Sequence, residues 1–326
     1  MNRILGMVAA SAVALFALGA SPAWAQAPAF PSKPIKLVVP FPAGGATDIL
    51  GRMWGNRLSE LLHQPVVVEN IGGAAGTVGA ANVARAPADG HTLLLGVSAS
   101  QAIAPALYGN LRYDPIKDFA PVGQIATFGN AVIVHPSTPA RNVGELVALA
   151  KRTPNGLSYG SWGVGSAGHL ALEMVKTQAG ALLVHIPYKG TGPVLSDVMG
   201  NQVPVGVTGV VEIVQAAKAG KVRVIAVTGS KRAPNFPDVP TLEEQGIRFG
   251  TDSWFTVFVS SQTPPAALAK LQSAFATVRA DAEFRKELVN LGMNPSELSP
   301  REFEAILRKD VEAWSALVKS SGAKAE

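Results

Sequence analysis

The 326-residue chain contains no cysteine. That excludes disulfides and also a lipid anchor carried on an N-terminal cysteine. Charge is sparse: charged residues make up 16% of the chain against 48% hydrophobic, a balance that fits a globular protein with a large core. The formal net charge is only +5, and the basic residues are scattered, with no run of about five to eight. Nucleic-acid binding therefore has no support. Beyond the first 20 residues no apolar stretch is long enough to cross a bilayer. Missing too are a Walker A loop, HExxH or DFG motifs, and any His/Cys/Asp cluster at metal-ligand spacing. No metal, no cofactor and no enzymatic activity are expected.

The N-terminus is distinctive. Arg3 is followed by an apolar run over residues 4–20 and then by Ala23-Trp24-Ala25. A charged start, a short hydrophobic stretch and an A-x-A site describe a secretory signal peptide, so residues 1–25 are expected to be removed and the rest delivered to a bacterial periplasm. Without Arg3 the remaining 27 basic residues exceed the 23 acidic ones by 4.

The chain is organised around residues 35–48. Ile35 to Val39 reads as a buried strand, stopped by Pro40 and Pro42. Gly44 and Gly45 let the backbone turn, and Thr47 or Asp48 can cap the next segment. That segment, residues 49–62, sets Ile49, Leu50, Met53, Leu58, Leu61 and Leu62 on one face of an amphipathic helix. A strand, a glycine turn and a helix N-terminus present free N–H groups and a positive dipole end to an anion. Residues 40–51 hold no Lys or Arg, so an anion here would be held by the backbone amides of Ala43 to Thr47.

The pattern repeats. Strands are expected at 66–69, 92–97, 157–161, 182–186, 203–207, 222–228 and 253–260, with helices at 78–86, from after the 98–101 turn to 108, 143–152 (capped by Asn142), 169–178, 265–292 and 300–320. Strands alternating with helices mean an α/β protein with mostly parallel sheets, whose ligands lie beyond the carboxyl ends of the strands. The chain crosses from one α/β unit to another near Gly129 and returns near Trp254. This gives one domain of residues 26–128 and 253–326 and a second of 129–252, joined by a two-crossing hinge with a ligand cleft between. Hydroxyls and amides gather at the strand ends facing that cleft: Thr47; Ser98, Ser100 and Gln101; Ser161 and Ser166; Thr208.

Two motifs deserve testing against their simpler readings. Residues 163–168 (GVGSAG) fit G-x-G-x-x-G between strand and helix, but the strand about twenty residues on carries no acid to hold a ribose, so a small-anion turn is the better reading. Residues 96–100 (GVSAS) end in Ser100 where a nucleophile elbow needs glycine, and Ser166 follows Val164 in place of a glycine. A secreted hydrolase is therefore the lesser alternative.

The chain resembles the Bug (TctC-like) family, the extracytoplasmic solute-binding receptors of tripartite tricarboxylate transporters. The resemblance runs over residues 31–316. It is carried by residues 34–48 (PIKLVVPFPAGGATD), 68–70 with the glycine-rich 72–79, 86–94 (APADGHTLL) and 105–108 (PALY). Further on it is carried by 113–119, 185–190 (HIPYKG), 226–228 (AVT) and 237–241 (PDVPT). It implies a type II periplasmic-binding-protein fold closing on a small organic carboxylate, delivered as a monomer to membrane permease subunits. A ligand-sensing receptor for a membrane signalling system would share the fold. It also implies a carboxylate pincer of two loops with bridging waters. Carried over here, the loops are Phe41 to Asp48, including Ala43, Gly44, Gly45, Ala46 and Thr47, and Ser161 to His169, including Gly165, Ser166 and Ala167. Tyr188, Lys189 and Gly190 would add contacts. Where relatives commonly have an acid after the strand at 203–207, this chain has Thr208. That points to an organic acid without an amino group.

Overall fold

The computed structural model describes residues 30–249 and 251–323. The expected signal peptide lies outside the described residues. No described helix is long and apolar enough to cross a membrane.

The first sheet holds six strands in the order β11-β4-β10-β3-β1-β2. These are β1 (Ile35–Val39), β2 (Val66–Asn70), β3 (Thr92–Val97), β4 (Phe119–Phe128), β10 (Ser253–Ser260) and β11 (Asn294–Pro295). β1 pairs in parallel with β2 and β3, while β10 runs antiparallel between β3 and β4. The second sheet is β7-β6-β8-β5-β9, built from β5 (Asn130–Val134), β6 (Leu157–Ser161), β7 (Leu183–Pro187), β8 (Val205–Gly209) and β9 (Arg223–Val227). Here β5 alone runs against its neighbours. The parallel strands of each sheet end toward the segments where the chain passes between sheets.

Helix α1 (Ala46–Leu62) shows why local pattern and burial agree only in part. Leu50, Leu58 and Leu62 are buried, as the spacing requires. Ile49 and Leu61, expected on the same face, are 42% and 43% exposed. Trp54 takes the central place instead, 1% exposed and 5.9 Å from the Phe275 ring. The indole fills the space between α1 and α8 (Pro265–Ala280). The expected single helix over 265–292 is two, because Asp281 breaks off to cap α9 (Ala282–Asn290), accepting the Phe284 amide at 2.6 Å. Helix α4 (Val143–Arg152) starts where expected, with the Asn142 side chain accepting the Glu145 amide at 2.8 Å. Two helices were not anticipated: α6 (Thr191–Met199) and α7 (Val210–Lys218).

Between the sheets the backbone is tied at close quarters. Asn130 donates its amide to Thr228 Oγ1 at 2.8 Å, and Thr228 returns its own amide to the Asn130 carbonyl at 2.7 Å. Any Cβ on Gly129 would collide with the Thr228 carbonyl, so the crossing requires glycine. Helix α10 (Pro300–Ser321) then binds the two halves into one core. Its Phe303 packs edge-on against Trp254 of β10 at 4.9 Å, its Asp310 accepts from Trp254 Nε1 at 2.8 Å, and its Trp314 meets Phe249 at 5.6 Å. Burial raises the Asp310 carboxyl to about 6.

Candidate ligand-binding cleft

The turn after β1 forms the first loop of the site. Pro42 to Gly45 is exposed, and α1 begins at Ala46 with Gly45 as its N-cap and no side-chain cap. The expected caps Thr47 and Asp48 instead lie inside the helix. Asp48 reaches back: its carboxylate accepts the Gly44 amide at 2.9 Å, Asn70 Nδ2 at 3.0 Å and Arg52 Nε at 3.1 Å. It is 4% exposed, and the Arg52 bond, with the amide bonds, holds its pKa below the usual carboxylate range despite burial. Two consequences follow. The Gly44 amide is spent within the loop and is not free for an anion, contrary to the sequence expectation. The nearest cation, Arg52, is likewise engaged. The amides of Ala46, Thr47 and Asp48, in the first helical turn, lack intrahelical acceptors.

Ser100 and Gln101 lie in a wide helical turn, Ala99–Ile103, which Ser98 precedes and which leads into α3 (Ala104–Leu107). Such widened turns recur at functional sites. Ser100 Oγ donates to the Val97 carbonyl at 3.3 Å, and the Tyr113 hydroxyl donates to the Ser100 carbonyl. Ser100 and Gln101 are fully buried, and neither side-chain polar atom of Gln101 has a partner. A Cβ on Gly76 would stand 3.3 Å from Ser100 Cβ and 3.4 Å from Phe41. The end of β2, the first loop and the β3 turn thus meet at one place.

The turn after β6 forms the second loop and leads into α5 (Ala167–Ala179), capped by Ser166 Oγ, which accepts the His169 amide at 3.2 Å. Its scaffold is neutral. Ser161 Oγ lies 2.7 Å from His185 Nε2 and 3.2 Å from Ser166 Oγ, and Gly165 donates its amide to His169 Nδ1 at 3.0 Å. The His169 and His185 rings stack at 4.0 Å. Desolvation lowers both pKa values, that of His185 to about 3. This loop touches the other half of the molecule: a Cβ on Gly165, whose φ is +71°, would collide with Leu107 of α3.

The remaining predicted residues are distributed unevenly. Tyr188 follows β7 and donates its hydroxyl to Asp197 at 2.7 Å, while Lys189 is exposed and Gly190 caps α6. Thr208 does not follow its strand, as expected, but lies within β8 opposite Ala131. It is fully buried, and its hydroxyl donates to the Gly209 carbonyl at 3.4 Å. Sequence reasoning missed Asn70, Arg52 and His185, which hold the loops. A cavity of about 750 Å³ lies elsewhere, on the flank of the first sheet beside Asn82, Arg85, Tyr108 and Arg112. None of its lining residues belongs to either loop.

Comparison with known proteins identifies the family. Residues 50–323 match the model of the tripartite tricarboxylate transporter family receptor. The chain belongs to this family. Protein BugT of Bordetella pertussis is 30% identical over 301 residues, covering 92% of each chain. Among solved structures, the periplasmic binding protein BugD is 34% identical with a TM-score of 0.80, covering 91% of this chain and all of that one. An R. palustris protein with adipate is 34% identical, TM-score 0.83, covering 90% and 99%. The fold is therefore that of the two-domain periplasmic binding proteins of the TctC and Bug type, and the chain is a receptor of this transporter family.

Proposed function

We propose that this receptor works in the periplasm after loss of residues 1–25 and captures a small carboxylate between the first loop (residues 41–48) and the second (161–169). The domains would be residues 26–128 with 253–326, and 129–252, with the ligand handed as from a monomer to membrane permease subunits. The observation that carries the reading is the pairing of two helix N-termini, of α1 and α5, at the carboxyl edges of two sheets, with no uncommitted cation within either loop. Helix-end amides hold carboxylates without a counter-charge. The adipate bound by a relative of similar fold supports the same ligand class.

The Ser161–His185 contact invites a hydrolase reading, and its surroundings argue against it. Ser161 is fully buried, so its oxygen cannot reach a substrate, and the Glu173 carboxylate lies on the His169 side, 4.0 Å from His169 Nε2. A non-enzymatic binding protein fits better.

Gly45→Val tests the first loop. Gly45 has φ −83°, and a Cβ there meets nothing nearer than the Pro42 carbonyl at 3.8 Å, so folding should be retained. The branched side chain should crowd the helix-end amides and weaken binding at least tenfold, about 1.4 kcal/mol, in calorimetry against a panel of short-chain carboxylates. Unchanged affinity would remove this loop from the site. Heat from no carboxylate at all would remove the ligand class.

A further inference from the structure

Helix α2 (Thr77–Ala84) lies on the first sheet, with Ala80 and Val83 buried in a core that includes Val38 of β1 and Leu94 of β3. After α3 the chain returns beside it as residues 108–112, and both segments line the cavity of about 750 Å³. That volume is in the range of small-molecule sites, about 300–1,000 Å³. Ile71, Val78, Ala81 and Leu111 give it an apolar wall. Val78 is 48% exposed, so part of that wall is apolar surface left for a ligand to cover.

The polar lining has one sign of charge. Lys36, Arg85 and Arg112 face the cavity, and no Asp or Glu lines it. Lys36, opposite Thr92 at the start of β1, is paired with Glu69 at 2.6 Å. Among the described residues neither guanidinium takes part in an ion pair. The acids nearest to them in the chain are held by other cations: Asp89 by Lys33 at 2.8 Å, and Asp114 by Lys117 at 3.1 Å. Asn82, Tyr108 and Asn110 add two carboxamides and a phenol.

We propose that this cavity is a second ligand site, which takes a small molecule bearing a phosphate group on an apolar body. Like charges in a concavity with low-dielectric walls focus their field and concentrate counter-ions. A phosphate dianion matches two uncommitted guanidiniums, whose planar forks donate paired hydrogen bonds to its oxygens. The carboxamides and the phenol can satisfy the remaining oxygens, and Val78 and Leu111 can cover the body. The competing role for Arg85 is to balance the carboxyl end of α2, which it directly follows. Arg112 lies outside any helix, so that role leaves it unexplained. The proposal is independent of the carboxylate reading of the two loops.

The test is calorimetry on the mature chain with inorganic phosphate and with phenyl phosphate. It is run in about 0.15 M salt, where exposed charges more than about 8 Å apart are screened. Both probes should bind, phenyl phosphate more tightly. The chain with Arg85→Ala and Arg112→Ala should bind each at least tenfold more weakly, with its melting temperature unchanged. Arg85→Lys with Arg112→Lys keeps the charge and loses the forks, and it should also weaken both. Absence of heat from both probes at millimolar concentration overturns the proposal. So does affinity unmoved by the alanine pair, which places phosphate elsewhere on the chain. Affinity kept by the lysine pair reduces the site to net charge, and equal affinity for the two probes removes the apolar body; either overturns the site as proposed.

Discussion

The two glycine-rich loops, each leading from a strand into a helix, are held by opposite means. The first, residues 41–48, is open to solvent and braced by charge: Asp48 gathers Arg52, Asn70 and the Gly44 amide around one buried carboxylate. The second, residues 161–169, is largely buried and braced by neutral groups: Ser161, Ser166 and two stacked histidines. An exposed loop can keep an ion pair hydrated on its arginine side, with Arg52 53% exposed. A loop pressed against Leu107 has no such access, and there a charge would be costly. One strand-turn-helix unit is therefore built twice, with the local dielectric choosing the chemistry of each brace.

Removing the charged brace should have the largest effect. Asp48→Ala leaves the Gly44 amide and Asn70 without their acceptor and Arg52 without its partner. Hydrogen bonds to a charged group contribute about 1.5–3 kcal/mol, so a loss of about 3 kcal/mol is expected in urea unfolding, with m unchanged. A loss within about 0.5 kcal/mol of zero would mean that the loop holds itself.

Gly165→Ala probes the second loop's contact with the other half. The left-handed backbone alone costs about 1–3 kcal/mol for a residue with a Cβ, and the methyl must also displace Leu107. We expect about 2 kcal/mol, partly relieved by Leu107→Ala in the same chain. Additivity of the two substitutions would show that the loop does not press on α3.

Acidification should separate the braces with the smallest change. His169 and His185 have folded pKa values below the ordinary 6.5, so the unfolded chain takes up protons first as pH falls. The stability they contribute is complete above 6.5 and is lost as pH falls from 6.5 toward about 3, the folded value of His185. Asp48, also depressed, keeps its contribution down to the ordinary carboxylate value of 3.8 and loses it only below. Protonation at His169 Nδ1 would also remove the acceptor of the Gly165 amide. Melting temperature should therefore fall between pH 7 and 5, and His185→Gln should flatten that slope, while Asp48→Asn should leave the slope as it is. The raised Asp310 carboxyl acts in the opposite sense over this range, so the slope is also read in Asp310→Asn, and a flat profile there would mean that the histidines are not depressed.

Much of this architecture was legible beforehand. β10 (Ser253–Ser260) and α4 with its Asn142 cap are as expected, since apolar periodicity and a capping side chain act within a few residues. The glycine turn at 44–45 was likewise readable, but not the commitment of its Gly44 amide to Asp48. Thr208 was misplaced by the strand's extension to Gly209, a matter of pairing with Ala131 on β5 that no local pattern records. The splitting of residues 265–292 at Asp281 and the burial of Trp54 in place of Ile49 depend on which helices pack together.

The amino-acid sequence by itself determined the alternation of strands and helices, the two glycine turns and the family, because these rest on neighbouring residues and on motifs that survive as strings. Only the tertiary structure decided which polar groups hold the loops and which are left uncommitted. Asp48 meets Asn70 across 22 positions and Ser161 meets His185 across 24, and Val210 stands against Gly292. Such meetings are set by sheet order and helix packing, and a side chain's charge state follows from the neighbours and the burial it finds there.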